Sequence, residues 1–102
     1  MTKDLVNEQE ALDKIKVILR EELPRSSSAY LFGSRATGKA RPYSDVDIAL
    51  DYRGQTMPED AMTKLRTIFE FSDLPYKVDI VDLHAISDNF RAAIQSELVK
   101  LL

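Results

Sequence analysis

Asp45 and Asp47, separated by one residue, follow a Gly33-Ser34 pair in a chain that has no cysteine and a single histidine. They sit in a strict alternation, with Val46, Ile48, Leu50 and Tyr52 on one side and Asp45, Asp47, Ala49 and Asp51 on the other. That is the period of a β-strand. Residues i and i+2 of a strand point the same way, about 6.6 Å apart along the axis, so both carboxylates can converge on metal ions between them. Magnesium ions paired about 3.5–4 Å apart serve in-line displacement at phosphorus. Magnesium takes hard oxygen ligands, from a few carboxylates and from substrate phosphates. A solvated strand face can also carry acids. Aspartate is a poor strand former, however, so Asp45, Asp47 and Asp51 on one strand face carry a propensity cost that chemistry would explain.

Gly33-Ser34 supplies the complementary device. Glycine at the junction of a strand and a helix lets backbone approach a ligand closely, the following N–H groups favour a phosphate, and the Ser34 hydroxyl adds a donor. Arg35, Lys39 and Arg41 lie in the loop that follows, and Arg35 is the best placed of these cations to meet a triphosphate. Ser44 either contacts the nucleotide or caps the turn. A third carboxylate is expected from Lys77-Val78-Asp79-Ile80-Val81-Asp82-Leu83, where Asp79 and Asp82 face opposite sides. Asp79 lies deeper among apolar residues, where an unpartnered charge is expensive and coordination would relieve it. Asp82, nearer the strand end, is the more easily solvated, so Asp79 is the expected ligand. His84 reads as a polar loop residue and Asp51 as surface. Tyr30, Tyr43 and Tyr52 read as packing residues, and Met57 and Met62 as core or partner-facing filler.

These groups must be held by a framework of short elements. Leu5, Leu12, Ile15, Ile18 and Leu19 recur at helical spacing from about residue 5 to 22, and Pro24 stops the run. Ala29 to Phe32 is a short apolar strand broken by Gly33-Ser34, after which a helical turn ends at Gly38. Beyond the Asp45–Tyr52 strand and a turn at Arg53-Gly54-Gln55, a helical stripe of Ala61, Met62, Leu65, Ile68 and Phe69 starts from Pro58. Tyr76 to Leu83 reads as a buried strand. Ser87 then caps a last helix whose apolar face runs Phe90, Ala93, Ile94, Leu98 and Leu101. The order helix, strand, short helix, strand, helix, strand, helix predicts a three-stranded mixed sheet with helices packed on it.

The bulk composition narrows the function classes. At 102 residues and 44% hydrophobic the chain predicts one domain over residues 1–102, small enough to gain from a partner, as a homodimer or hetero-oligomer. A formal net charge of −3 gives no general pull toward nucleic acid or an anionic membrane, so a polyanion must be held locally. The absent cysteines exclude disulfides and thiolate metal sites. With no apolar signal region and no run of membrane-spanning length, a cytoplasmic protein is the default.

Taken together, Gly33-Ser34, ten intervening residues, Asp45-Val46-Asp47 and an apolar-flanked Asp79 resemble the DNA polymerase β-like nucleotidyltransferase superfamily, in particular the minimal nucleotidyltransferases of prokaryotes. The resemblance implies an α/β palm in which Asp45, Asp47 and Asp79 bind two magnesium ions and the Gly33-Ser34 turn holds the triphosphate of ATP. One ion would activate an acceptor hydroxyl near Asp79, and the other would stabilise the leaving pyrophosphate. It also implies a helical HEPN-type partner, an RNase toxin, with AMP transferred to a tyrosine of that toxin in some members. Two other readings stay open: a binding-only antitoxin acting sterically, and transfer to a small molecule. The carboxylate triad weighs against the first, and the lack of extra substrate-binding segments weighs against the second.

Overall fold

The structure, a computed structural model, describes residues 8–102, so Leu5 lies outside the described residues. Within them, α1 spans Glu8–Glu22, β1 Ser28–Phe32, α2 Ser34–Thr37, β2 Val46–Asp51, α3 Glu59–Glu70, β3 Val78–Asp82, α4 Asp88–Gln95 and β4 Val99–Lys100. The sheet order is β3-β2-β1-β4. β2 runs antiparallel to β1 and parallel to β3, and β4 runs antiparallel to β1. A parallel pair needs a long crossover, which α3 supplies.

The alternation in β2 divides the molecule. Val46, Ile48 and Leu50 are fully buried on the face packed by α1 and α3, in one core with Ile15, Leu19, Leu65 and Phe69. Those helices present Ala11, Ile15 and Leu19, and Met62, Leu65 and Phe69, at turn spacing. On the opposite face Ala49 is fully buried with Phe32 and with Ile94 of α4. The acidic face is therefore not an open strand face: α4 covers its middle, and Asp47 and Asp51 emerge at either end. Local signals hold where chemistry is unambiguous. Ser87 Oγ accepts from the Phe90 N–H at 3.1 Å, and Gly38 closes α2 in the left-handed region with φ 78°.

The structure corrects three sequence expectations. The sheet has four strands, because α4 stops at Gln95 and the chain turns back to lay Val99–Lys100 on the outer edge of β1. Leu101 consequently donates its N–H to Ala29 O at 2.8 Å and packs on the main core, instead of extending a helical face. Tyr43 is 86% exposed rather than a packing residue.

Asp82 is the third. It is 6% exposed, not solvated, and its carboxylate accepts from the Met57 N–H at 2.7 Å and the His84 N–H at 2.9 Å. It ties the segment entering α3 to the end of β3. Asp82→Ala strands the Met57 donor in the interior and leaves the His84 N–H unpaired, so we expect a loss of about 2–4 kcal/mol in chemical denaturation. Asp82→Asn, which keeps one acceptor oxygen, should lose less.

Beside it, His84 Nε2 lies 2.8 Å from Asp51 Oδ1, and Asp51 also accepts from the Gly54 N–H at 2.7 Å. The His84 hydrogen bond, then the Gly54 N–H and the His84 and Arg91 charges, outweigh burial and hold the Asp51 carboxyl below its ordinary 3.8. A lowered folded-state value means stability present above that ordinary value and lost as pH falls through the folded one. Wild type should exceed Asp51→Asn in urea midpoint at pH 6, and the two should converge below the ordinary carboxylate range.

Candidate active site

Backbone pairing assembles a row across the sheet. Phe32 is the register partner of Asp47 on one side, and Asp79 is its partner on the other. Directly paired residues of neighbouring strands project to the same face, so Asp47 and Asp79 stand side by side at the open end of the α4 face. Asp45 precedes the strand by one residue. Asp47 responds to its surroundings: burial first, then the charges of Asp79, Asp45 and Glu97, push its carboxyl above the ordinary 3.8. Among the described residues no three His, Cys, Asp or Glu side chains close into a metal-holding cluster. Asp79 instead leans toward Lys77, with Nζ to Oδ1 at 3.8 Å, and its side chain is 46% exposed, so it is not the buried aspartate expected. The donor set is still one of hard oxygens with mutually repelling charges, which suits magnesium and gives little to a softer ion.

Gly33 backs onto this row. Its φ of 76° and ψ of −156° turn the chain from β1 into α2, and a Cβ there would meet Asp47 Oδ2 at 2.4 Å. Only a residue without a Cβ leaves that carboxylate room. The Gly33 O accepts the N–H groups of Ala36 and Thr37, while those of Ser34 and Arg35 have no acceptor among the described residues. The Gly33 N–H donates to Glu97 Oε1 at 2.7 Å. Glu97 is a residue that sequence reasoning missed. It arrives from 64 positions downstream, just after α4, and no local pattern marks it.

Arg35 is placed otherwise than expected. Its side chain is 5% exposed and stacks over Tyr76, with Cζ 4.2 Å from the ring centroid. Nε and Nη2 donate to Ser44 O at 3.1 and 2.8 Å, Nη2 also reaches the Arg41 and Pro42 carbonyls, and Nη1 pairs with Glu8 at 2.9 Å. The guanidinium is engaged in holding the 41–44 turn that delivers Asp45. Ser44 caps that turn, its Oγ accepting from the Arg41 N–H at 2.8 Å. Lys39 and Arg41 are exposed.

Asp47 and Asp79 share a groove of about 810 Å³ lined by Phe32 and Phe90, by Arg66 and Phe69 of α3, and by β3. Phe32 and Phe90 meet edge to face at 6.1 Å between centroids and form its wall on the α4 side. Such a site, with carboxylates in a row, free N–H groups at a glycine turn and an adjoining groove, can bring a polyphosphate against an acceptor.

Known proteins share this fold. Residues 13–102 match the family model described as polymerase beta, nucleotidyltransferase. The Haemophilus influenzae protein called "Probable protein adenylyltransferase MntA" is 35% identical over 96 residues, covering 94% of this chain and 81% of that one. Among solved structures, a toxin-antitoxin with AMP-PNP superposes with a TM-score of 0.74 at 31% identity, over 89% of this chain and 72% of that chain. A tri-AMPylated Shewanella oneidensis HEPN toxin in complex with MNT antitoxin gives 0.72 at 28% identity, over 94% and 72%. With the family model spanning most of its length and the same fold in these structures, this chain belongs to the polymerase beta nucleotidyltransferase family.

Proposed function

We propose that this chain transfers AMP from ATP to a hydroxyl of a partner protein, a helical HEPN-type toxin, and so acts as its antitoxin in the cytoplasm. The observation that carries the reading is the pairing of Asp47 with Asp79 directly against the Gly33 turn. The relatives support it, since one is named as an adenylyltransferase and others are toxin-antitoxin structures with AMP-PNP or an AMPylated toxin.

In this reading the acceptor oxygen attacks the α-phosphorus. The new P–O bond forms as the bond to pyrophosphate breaks, and the hydroxyl proton leaves toward Asp79 or water. Asp45, Asp47 and Asp79 would hold two magnesium ions, which when bound offset triphosphate charge and make the hydroxyl easier to deprotonate. The Ser34 hydroxyl and the Ser34 and Arg35 N–H groups take the phosphates. The Arg35 side chain keeps the 41–44 turn, and hence Asp45, in position.

Intact mass of the HEPN-type partner tests this after co-expression with wild type or with an Asp45→Asn, Asp47→Asn double variant. Increments of AMP with wild type alone are expected. A stable complex without any increment would overturn transfer in favour of steric inhibition.

Glu97 holds the Gly33 N–H that a phosphate would otherwise use. Removing this competing carboxylate with Glu97→Ala should tighten Mg·ATP binding by about tenfold, the scale of one charged hydrogen bond. Titration calorimetry on the two proteins reads it directly.

A further inference from the structure

We infer that the free edge of β3 is the acceptor's docking site, binding an extended segment of the acceptor protein as an added strand. This rests on the transferase reading above and names how its second substrate is presented. Among the described residues β3 is the terminal strand of the sheet and pairs only with β2. The Lys77 carbonyl accepts from the Val46 N–H and the Leu83 N–H donates to Leu50 O, so odd-numbered residues of β3 direct their backbone groups toward β2. Val78 and Ile80 direct theirs outward, where no partner for them exists among the described residues. Unpaired N–H and C=O groups on an edge strand are a template for another extended chain.

This edge forms the floor of the groove that also holds Asp47 and Asp79, so the docking surface runs unbroken into the site. A strand added there would lie about 4.8 Å beyond β3. It would extend the row Phe32–Asp47–Asp79 by one position, placing its side chain next to Asp79 on the same face. A hydroxyl at that position meets the carboxylates from the side opposite the Gly33 turn, as an in-line attack requires. Charge adds direction. Exposed Arg66 of α3 lines the groove and also the hollow beside Val81 and Asp82, toward the other end of β3. The fitting segment therefore carries a serine, threonine or tyrosine beside Asp79 and an acidic residue facing Arg66.

The test uses the full chain with its HEPN-type partner as probe. Val78→Pro removes an outward N–H at the first residue of an edge strand, where proline is tolerated, and Arg66→Glu reverses an exposed charge. Each should slow AMP transfer by roughly tenfold or more while leaving the melting response to Mg·ATP intact. In the wild-type complex the Val78 and Ile80 amides should exchange at least about tenfold more slowly than in the free chain. Wild-type transfer rates in both variants, or unchanged exchange at both amides, would overturn the docking site and leave the transferase reading standing. If Val78→Pro does not fold, Arg66→Glu and the wild-type exchange data decide. Failure of wild type itself to transfer or to respond to Mg·ATP would bring down the transferase reading, and this inference with it.

Discussion

Asp47→Asn should lower AMP transfer by more than about 100-fold, the scale of losing a group that acts on developing charge at the reacting centre. The same substitution should leave the metal-free protein as stable or more stable. The Asp47 carboxyl is raised by burial and by Asp79, Asp45 and Glu97, so its ionised form is disfavoured in the folded state. A group with a raised folded-state value loses stability as pH rises from the ordinary value through the folded one. Above the ordinary carboxylate value the wild type carries that penalty and Asp47→Asn does not. Thermal melts should therefore show the variant level with or above wild type without metal. The two should draw together as pH falls below the ordinary carboxylate value. Adding Mg·ATP should raise the wild-type melting temperature through mass action and leave the variant nearly unmoved. An undiminished rise in Asp47→Asn would remove Asp47 from the site.

Gly33→Ala should damage both stability and transfer. The position has φ +76°, which L side chains rarely adopt, and the new Cβ would press on Asp47 Oδ2. Gly38 offers a milder case: nothing lies within 4 Å of its Cβ, and its φ 78°, ψ 14° is the left-handed helical region that other residues can adopt, whereas Gly33 at ψ −156° lies where essentially only glycine goes. Gly38→Ala should show the backbone strain alone, about 1–2 kcal/mol. Gly33→Ala should exceed that, both because its φ 76°, ψ −156° backbone is nearly confined to glycine and because Asp47 is anchored in β2 between two paired strands with little freedom to retreat. The excess should appear as a further drop in melting temperature and as lost transfer, while Gly38→Ala stays active. Equal penalties at both positions would show that the Gly33–Asp47 contact does not constrain the site.

Much of this arrangement is legible along the chain because it is local. Alternation in 46–51 determined β2 and the face that Asp47 shares with Ala49 and Asp51, since side chains in a strand alternate whatever surrounds them, while Asp45 stands one residue before the strand. Glycine at 33, 38 and 54 stands at three of the backbone positions with positive φ. The residue types themselves limited the chemistry to hard-oxygen ligands. Position across the sheet is a different matter. The burial of Asp82 depends on the Met57 N–H from a separate loop, so a strand-end aspartate that looked solvated is a structural tie. Arg35 looked like a phosphate ligand because it follows Ser34. In the fold it is drawn to the carbonyls of its own loop and the Tyr76 ring, which become neighbours only when β3 is laid beside β2. β4 is two residues long and carries no periodic signal; it exists because β1 offers a free edge where the chain returns. Glu97 joins the site by the same return. Sequence alone determined which groups could do the chemistry and which strand carries most of them. Only the tertiary structure decided which of those groups face one another, because strand pairing brings together residues that no local period relates.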